Sequence, residues 1–416
     1  MIDFKDFSWS VIFIWAALTT VGLIAIYSAT QGPVAEFLPL FIQGNFSRQI
    51  TWIAISLVCL IALQFTSPRT FQGVSYIFYA VCLILAIITV FVGIEVSGGR
   101  RWLSIFGMRV QISEFLKLAT VLAVANYLTH SRNVSVNDFK TALITVLIIL
   151  VPVFVIVMQN DTGTALVLLA LIPVVLFWSG LPYGISLLII SPAIIGYFSV
   201  IGLVFGLIAT VLITIAIFFL QKSHWLSIST LVLGIVVVIG TEVALQEVLQ
   251  PHQRARVEAF VNPTLDPQGA GWNVLQAKTA IGSGGFYGKG FMEGTQTQLR
   301  FLPEQWTDFV YCVIGEEFGF IGSSFVLLLF AALFLRLLAM AGTQKHPFSQ
   351  LVIVCVTFLY FAHFIINIGS ATAVLPIMGV PLPFVSYGGS AFLANTIMLA
   401  ICLNLNLFKR SFSIYR

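Results

Sequence analysis

The chain has 416 residues, of which 59% are hydrophobic and only 9% are charged, and its mean hydropathy is +1.02. Soluble globular proteins carry roughly 25% charged residues, so this composition excludes an ordinary soluble protein. The net charge of +4 is small and dispersed, which gives no basis for a nucleic-acid-binding protein. Apolar runs of the ~17–25 residues that cross a bilayer recur along the chain. They predict an all-α, polytopic integral membrane protein.

Twelve membrane-spanning helices are predicted within one transmembrane domain over residues 1–416, and a count of ten or eleven stays open. Only Gly202 marks a break between the seventh and eighth spans, so this pair is the least defined. The N-terminus has neither a basic segment nor a small-residue cleavage site, and we interpret the first apolar run as an uncleaved span. The predicted spans are 9–30, 48–66, 71–94, 112–129, 139–158, 163–180, 184–202, 204–221, 226–248, 310–338, 349–370 and 385–408.

The distribution of basic residues predicts the orientation in the membrane. With twelve spans, both termini lie on the same side. Short cytoplasmic loops carry an excess of Lys and Arg, and ten of the twenty basic residues lie on the side of the termini, which we therefore place in the cytoplasm. These ten are Lys5, Arg69, Arg132, Lys140, Lys222, Arg336, Lys345, Lys409, Arg410 and Arg416.

The other ten basic residues lie on the extracytoplasmic side, and nine of them are clustered in two places. One is the connection between the third and fourth spans, and the other is a long loop, 249–309, to which the orientation rule does not apply. Either these cations contact anionic lipid headgroups, or they bind an anionic ligand such as phosphate, which suits the bidentate arginine fork. They are Arg48, Arg100, Arg101, Arg109, Lys117, Arg254, Arg256, Lys278, Lys289 and Arg300.

The first charged segment, "GGRRWLSIFGMRVQISEFLKLA" (98–119), begins with a glycine turn and carries Arg101 and Arg109. Glu114 and Lys117 are three residues apart at the start of the following helix, so they share one helical face and can pair. An ionisable pair at membrane depth is a functional candidate, because its burial is costly. The alternative is a self-contained salt bridge that anchors the helix end.

Asp161 begins a second polar segment, 159–175, and is followed by Thr162 and Thr164. Short polar side chains at the start of a helix accept hydrogen bonds from its free backbone N–H groups, so the pattern is typical of an N-cap at the outer surface. A capping role and a substrate-binding role stay open for this aspartate.

The long extracytoplasmic loop carries five glycines within 282–290, where backbone N–H groups can face an anion or another backbone. Lys289 is followed by Gly290 rather than Ser or Thr, so the run is not a Walker A nucleotide loop. Lys278 lies on a predicted amphipathic segment together with Trp272. A structured connection of this length is usually functional.

Four of the sixteen acidic residues fall within "FLPEQWTDFVYCVIGEEFGFIG" (301–322). Asp308 lies just before an apolar span, where desolvation raises the pKa of a carboxylate and nearby Arg and Lys lower it. A carboxylate held in this way can act as a general base on a hydroxyl. Glu316 and Glu317 come two helical turns deeper, and we expect them to pair structurally, with cations of the segment 98–119 as candidates.

Before the last predicted span, "GVPLPFVSYGGSAFLANTIMLA" (379–400) contains two prolines that forbid a regular helix. Gly388 and Gly389 allow close packing, and Ser386 and Ser390 supply hydroxyl groups. A broken or re-entrant segment that lines a cavity is one way in which a membrane protein accommodates such a sequence.

No His, Cys or Asp residues have the spacing of a metal site, and no serine lies in a nucleophile elbow. The five cysteines lie in or beside apolar runs and predict no disulfide framework. His252 alone of the five histidines lies in the charged loop, and His363, within a span, is expected to be hydrogen-bonded structure rather than a ligand. No cofactor is predicted with certainty, although a divalent cation (Mg or Mn) can accompany a diphosphate substrate.

Four segments together resemble the SEDS family (shape, elongation, division and sporulation), and "GTQTQLRFLPEQWTDFVY" looks closest to its cell-elongation branch. The resemblance implies a peptidoglycan glycosyltransferase of the bacterial cytoplasmic membrane. Such an enzyme polymerises lipid II, an undecaprenyl-diphosphate disaccharide-pentapeptide, on the outer face. It works with a class B penicillin-binding protein, the transpeptidase. The four segments are 98–119, 159–165, 253–322 and 379–390.

The resemblance assigns roles to individual residues. The family's essential aspartate falls on Asp308, and its charged motif falls on Arg109, Glu114 and Lys117. We expect Asp308 to deprotonate the acceptor GlcNAc 4-hydroxyl, which attacks the anomeric carbon of the donor MurNAc and displaces undecaprenyl diphosphate. Outer Arg and Lys residues would stabilise this leaving group. The expected substrate-binding residues are Arg101, Arg109, Glu114, Lys117, Asp161, Lys278, Lys289, Glu304, Ser386 and Ser390.

The sequence departs from the family's pattern in three places. Trp306 stands where the family usually has His, which argues against a required imidazole beside the base. Asn160 stands where the family usually has Pro. An extra hydrophobic stretch near 184–221 departs from the family's usual count of ten spans.

Two other classes of function stay open. A flippase or transporter of a lipid-linked precursor would fit the many spans and the broken Pro/Gly segment, although the charges concentrate on one face rather than at the midplane. A non-catalytic scaffold for a transpeptidase would not need Asp308.

Overall fold

Helices make up almost all of the regular structure, as seen in a computed structural model. The described residues are 7–32, 39–96, 99–105, 107–130, 139–249, 251–265 and 269–412. Three residues named above lie outside these ranges, Lys5, Arg132 and Arg416, as does the first glycine of the segment 98–119.

The elements up to the middle of the chain include a small three-stranded sheet. They are α1 (Trp9–Gln31), α2 (Leu40–Gln43), α3 (Asn45–Gln64), α4 (Pro68–Val92), β1 (Ile94–Val96), β2 (Gly99–Ile105), β3 (Met108–Gln111), α5 (Ile112–His130), α6 (Phe139–Met158), α7 (Thr162–Leu169) and α8 (Leu171–Trp178). The later elements are α9 (Tyr183–Ile201), α10 (Leu203–Gln221), α11 (His224–Val243), a π-helical turn (Ala244–Val248), α12 (Pro251–Val261), a 3-10 turn (Pro263–Leu265), α13 (Ala270–Ser283), α14 (Thr295–Gln298), α15 (Val310–Gly342), α16 (Pro347–Ala371) and α17 (Gly389–Leu407).

Eleven helices of the described part are long and apolar enough to cross a membrane, which confirms the all-α polytopic prediction. The least defined pair of predicted spans, 184–202 and 204–221, is two full helices, α9 and α10. The remaining predicted span, 163–180, is two short helices, α7 and α8.

Contacts divide the chain into two compact units, of which the first comprises residues 1–133, 140–172 and 276–416. Its most enclosed helices are α5 and α17, in which 83% and 89% of the central residues are buried, whereas the corresponding share in α3 is 17%. Helix α17 packs against α3, and α16 packs against α5, α15 and α17. The polar residues of α5, α16 and α17 are therefore held inside this unit rather than against lipid.

The sheet of the first unit is antiparallel in the order β1-β2-β3 and directly precedes α5. Ser104 pairs with Arg109, and Trp102 pairs with Gln111. The sequence predicted only a glycine turn here. The hairpin holds Arg101 and Arg109 on neighbouring strands.

The second unit comprises residues 134–139 and 173–275 and contains the extra hydrophobic stretch. Helices α9, α10 and α11 pack on one another in all three pairs. Their shared core is Ile195, Ala209, Ile213, Ile217 and Val238.

Helix α15 is broken at Gly319, which has φ +63° and ψ −154°. The break leaves backbone groups on both sides without helical partners, and the glycine run packs onto it. Of the two uses expected for that run, an anion or another backbone, the structure shows another backbone. The hydrogen bonds are Lys289 N to Glu316 O (3.0 Å), Gly290 N to Glu317 O (3.1 Å), Phe320 N to Gly285 O (2.9 Å) and Ile321 N to Phe286 O (3.3 Å).

The chain between α16 and α17 is irregular, as the two prolines predicted. We call residues 372–388 the connecting segment. Three of its residues have positive φ: Ala373, Gly379 and Phe384.

Candidate active site

Asp308 lies against the connecting segment. Its Oδ2 atom is 3.5 Å from the position that a Cβ would occupy on Gly379. The Ser386 hydroxyl donates to the carbonyl of Thr307 at 2.5 Å, and Tyr387 N donates to the carbonyl of Trp306 at 2.8 Å. The two residues before Asp308 are therefore held by the connecting segment, and the carboxylate is half-buried.

Asn367 of α16 holds Asp308 from another direction. Its Nδ2 group donates to the carbonyl of Asp308 at 3.0 Å and to that of Val380 at 2.8 Å. The side chain is 2% exposed. Asn367 is not among the site residues predicted from the sequence, although an amide within an apolar span is a recognisable signal, because polar groups in spans need partners.

The predicted pair of Glu114 and Lys117 is confirmed. Lys117 Nζ lies 3.0 Å from Oε1 and 2.9 Å from Oε2 of Glu114, and both side chains are almost completely buried. The ammonium group has a second partner, His363 Nε2, at 2.7 Å. His363 Nδ1 lies 3.1 Å from the carbonyl oxygen of Pro381. His363 is thus hydrogen-bonded structure, as expected, but its partner is the buried cation.

Asp161 is the N-cap of α7, as predicted, and accepts a hydrogen bond from Thr164 N at 3.3 Å. Oδ2 also accepts from Gln111 Nε2 at 2.8 Å, and Arg101 NH1 lies 3.5 Å from Oδ1. Ser390 accepts from the backbone N–H of Gln111 at 3.2 Å. This cluster ties the hairpin to the starts of α7 and α17.

The start of α7 also contacts the connecting segment. A Cβ on Gly163 would lie 2.6 Å from Val380 Cγ2 and 2.7 Å from Met378 O, so a larger residue has no room there. The connecting segment therefore contacts three features of the site: Asp308, His363 with its partner Lys117, and the start of α7 that Asp161 caps. Ser386 in this segment and Ser390 in the first turn of α17 are both buried, and both hydroxyls are hydrogen-bonded to backbone groups.

Glu316 and Glu317 are held by structural interactions, as expected, but among the described residues their partners are not the candidate cations of the segment 98–119. Glu316 pairs with Lys289 and accepts hydrogen bonds from the backbone N–H groups of residues 295–297, which form the short helix α14 of the long loop 249–309. Glu317 accepts from the Ser28 hydroxyl and from Gln298 Nε2 at 3.0 Å. The long loop directly precedes α15 in sequence. Its hydrogen-bond donors therefore lie closer to Glu316 and Glu317 than the cations of the hairpin do.

Three predicted substrate-binding residues lie at the surface: Arg109, Lys278 and Glu304. Arg109 and Lys278 make no ion pair with other residues that the structure describes. Asp308 N donates to the carbonyl of Glu304 at 3.1 Å. Desolvation raises the pKa of the Glu304 carboxyl, and a hydrogen bond from Thr307 opposes this shift.

Two exposed arginines, Arg48 and Arg109, lie near the Tyr387 hydroxyl at one edge of the connecting segment. Arg48 hydrogen-bonds this hydroxyl, and Arg109 is close enough to interact with it electrostatically. The neighbouring Gln49 accepts from Gly388 N at 3.3 Å. Arg48 was counted among the outer cations, but its isolated position in the sequence gave no sign that it joins this site.

Comparison with known proteins gives full-length matches. The pattern of the cell cycle protein family of FtsW, RodA and SpoVE matches residues 8–206 and 202–411. The peptidoglycan glycosyltransferase RodA of Treponema pallidum is 29% identical over 97% of this chain and 98% of its own length. The peptidoglycan glycosyltransferase MrdB of Escherichia coli K12 is 31% identical over 97% of this chain and 94% of its own length.

Solved structures give the same result for the fold. A chain of a peptidoglycan synthase complex, solved to describe the coordination of polymerization and crosslinking, aligns with a TM-score of 0.72 and 25% identity over 97% of this chain and 98% of its own. The rod shape determining protein RodA of Thermus thermophilus aligns with a TM-score of 0.63 and 23% identity, with the same coverage. Because the sequence pattern matches both halves of the chain, this protein belongs to the cell cycle protein family of FtsW, RodA and SpoVE, the SEDS family that its motifs resemble.

Proposed function

We propose that this protein is a peptidoglycan glycosyltransferase that polymerises lipid II during cell elongation. Relatives with this activity in their names match it over almost their whole length. The observation that carries the proposal is the meeting of Asp308 and the buried Glu114–Lys117 pair at the connecting segment. A non-catalytic scaffold would not need Asp308 at this position.

Asp308 is the proposed general base. Its backbone is held by Asn367, while its half-buried carboxylate lies at the surface of the connecting segment. The carboxylate takes the proton of the acceptor GlcNAc 4-hydroxyl as that oxygen bonds to the anomeric carbon of the donor MurNAc. The bond from this carbon to the diphosphate oxygen breaks, and undecaprenyl diphosphate leaves with the electron pair. A positioned base contributes about 10²–10⁴-fold to such a step.

Arg48 and Arg109 are the proposed ligands of the leaving diphosphate. Both are exposed beside Tyr387, and guanidinium groups bind phosphate oxygens in a bidentate manner. Lys117 and Lys289, which were also expected to bind the substrate, each pair with a glutamate. Their role is therefore proposed to be structural support rather than direct contact with the diphosphate.

A divalent cation, Mg or Mn, stays a proposal. In the described part of the chain, no three His, Cys, Asp or Glu side chains come together as a metal site requires. We therefore propose that such an ion would bind together with the diphosphate, as Mg²⁺ does when one or two carboxylates and substrate phosphates hold it. Addition of EDTA to the polymerisation reaction tests this point.

The proposed location is the bacterial cytoplasmic membrane, with both termini in the cytoplasm and the active site on the outer face. The proposed partner is a class B penicillin-binding protein. The similarity to a chain of a peptidoglycan synthase complex supports a partner, and the clustered basic residues of the hairpin and long loop support an outer site. Labelling of cysteines placed in the loop 249–309 by a membrane-impermeant reagent tests the orientation.

The test of the function is polymerisation of purified lipid II by this protein with its cognate transpeptidase. We expect glycan strands from the wild type and a loss of at least about 100-fold in Asp308→Asn, which keeps the side-chain shape but removes the base. Glu258→Gln is the control, because this exposed carboxylate on α12 pairs with Arg254 and is not part of the proposed site, and it should retain activity. Equal products from wild type and Asp308→Asn would remove Asp308 from the mechanism. Movement of lipid II across vesicles without any glycan product would favour the flippase.

A further inference from the structure

Two side chains of α16, His363 and Asn367, hold consecutive carbonyl groups of the connecting segment. His363 Nδ1 lies 3.1 Å from the oxygen of Pro381, and Asn367 Nδ2 donates to that of Val380 at 2.8 Å. The residue before Val380 is the one against which the Asp308 carboxylate lies. One short stretch of chain therefore connects α16 to the proposed base.

The partners of the His363 ring determine its protonation. The carbonyl oxygen of Pro381 can only accept a hydrogen bond, so Nδ1 carries the proton that lies between them. An ammonium group can only donate, so Nε2 must offer its lone pair to Lys117 at 2.7 Å. The ring is therefore neutral, with its proton on Nδ1, and both nitrogens are occupied by protein groups.

Lys117 depends on this acceptor. Its side chain is 0% exposed, and its described polar partners are Glu114 and His363. A buried ammonium that loses an acceptor leaves a donor without a partner, which is costly for a charged group. His363 itself is 1% exposed, so bulk water does not reach this contact.

We infer that His363 is a positioning residue for the transferase reaction. It couples the Glu114–Lys117 ion pair to the connecting segment and so to the placement of Asp308. The inference rests on the proposed function in taking Asp308 as the base. Because neither ring nitrogen is available to a substrate, His363 acts through Lys117 and Pro381 rather than as a catalytic group.

The protonation state gives a test that does not need activity. Nitrogen NMR of histidine-labelled full-length protein in lipid nanodiscs, with the His363 signals identified by their loss in His363→Gln, should show a protonated Nδ1 and an unprotonated Nε2. Lys117→Met should shift the Nε2 signal. A protonated Nε2, or an Nε2 signal that does not respond to Lys117→Met, would overturn the inference.

Two variants separate a positioning role from simple packing in the polymerisation assay. His363→Phe keeps a ring of similar size but has no acceptor, and we expect it to lower kcat by at least about tenfold with little change in KM. His363→Gln places an amide oxygen near the position of Nε2, and we expect it to recover most of the activity. Thermal unfolding of both variants reports whether they fold.

The losses in the double variant His363→Phe/Lys117→Met should be less than additive, because the Lys117–His363 contact is already lost in either single variant and only the His363–Pro381 contact is lost in addition. Fully additive losses, or equal activity in wild type and His363→Phe, would contradict the inference. A folded wild type that makes no glycan, but has the expected ring protonation, would instead contradict the proposed function alone.

Discussion

Lys289 and Glu316 form an ion pair with a 2.7 Å contact between Nζ and Oε1. This pair connects the glycine run within 282–290, called the glycine loop below, to α15. Glu316 is completely buried and is the most heavily used acceptor of this region. Its other donors are Thr295 N (2.8 Å), Gln296 N (2.8 Å), Thr297 N (2.9 Å), Thr297 Oγ1 (2.8 Å), Thr295 Oγ1 (3.2 Å) and Ser283 Oγ (3.4 Å).

Replacing Glu316 should therefore cost more stability than replacing Lys289. Glu316→Gln keeps the volume but turns one acceptor into a donor that faces backbone N–H groups, and we expect a loss of about 1–3 kcal/mol. Lys289→Met should cost less, because the lysine is 25% exposed and the remaining donors still satisfy the carboxylate. Thermal unfolding in detergent measures both changes. A larger loss for Lys289→Met would mean that charge, rather than the backbone donors, holds the loop.

Gly288→Ala should destabilise the protein by about 2–4 kcal/mol. Gly288 has φ +84°, and a Cβ there would clash with the carbonyl group of Glu317, so both backbone strain and steric overlap oppose the change. Gly282→Ala is the matched control, because nothing lies within 4 Å of its Cβ position and it belongs to α13. A comparable fall in melting temperature for both variants would show that the glycine loop does not need this close approach.

Asn367→Asp should be as damaging as Asn367→Leu, although it is the more conservative change. The amide donates to the carbonyls of Asp308 and Val380, and a carboxylate would instead place an acceptor against two acceptors. We expect kcat for lipid II polymerisation to fall by at least about tenfold in both variants. Thr357→Val, on the same helix, removes only an intrahelical hydrogen bond to Ile353 and should be nearly neutral. Full activity of Asn367→Asp would exclude this role.

Asp161→Ala should destabilise the protein by about 1–2 kcal/mol through loss of the N-cap of α7. Asp161→Asn keeps an oxygen that can accept from Thr164 N and should recover most of this stability. Comparison of these two variants thus distinguishes the stability that comes from capping from that of the ion pair with Arg101, which needs the negative charge. If Asp161→Asn retains stability but loses polymerase activity, the substrate-binding role expected for this residue gains support over capping alone.

Arg48→Gln and Arg109→Gln should each raise KM for lipid II by about tenfold, with a larger effect at low ionic strength. Both guanidinium groups act on the Tyr387 hydroxyl at the edge of the connecting segment. Arg254→Gln is the matched control, because that arginine is also exposed but pairs with Glu258 on α12. An unchanged KM in both test variants would show that the diphosphate binds elsewhere.

The sequence was sufficient to predict interactions between residues that lie close together in the chain. The three-residue spacing of Glu114 and Lys117 predicted their pair, and Asp161 before two threonines predicted a cap. Two prolines predicted the irregular connecting segment. In each case the partners lie within a few residues of one another, so helix geometry alone brings them together.

The partners of the site that are distant in sequence could not be predicted in this way. His363 and Lys117 are separated by 246 positions, and their contact exists only because α16 packs against α5. Arg48 reaches Tyr387 for a similar reason, since α3 packs against α17. Distance in sequence also explains why the candidate partners of Glu316 were wrong. Several cations could pair with its carboxylate, and no spacing rule distinguishes Lys289 from the others.

The break in α15 has a consequence for how members of the family can exchange parts. The hydrogen-bonding groups freed at Gly319 are completed by the glycine loop, so neither segment is a self-sufficient module. A chimera that takes α15 from one relative and the loop from another would have to match both backbones at once. Recombination between relatives should therefore succeed when residues 284–321 are inherited as one block, and fail when a junction falls between them.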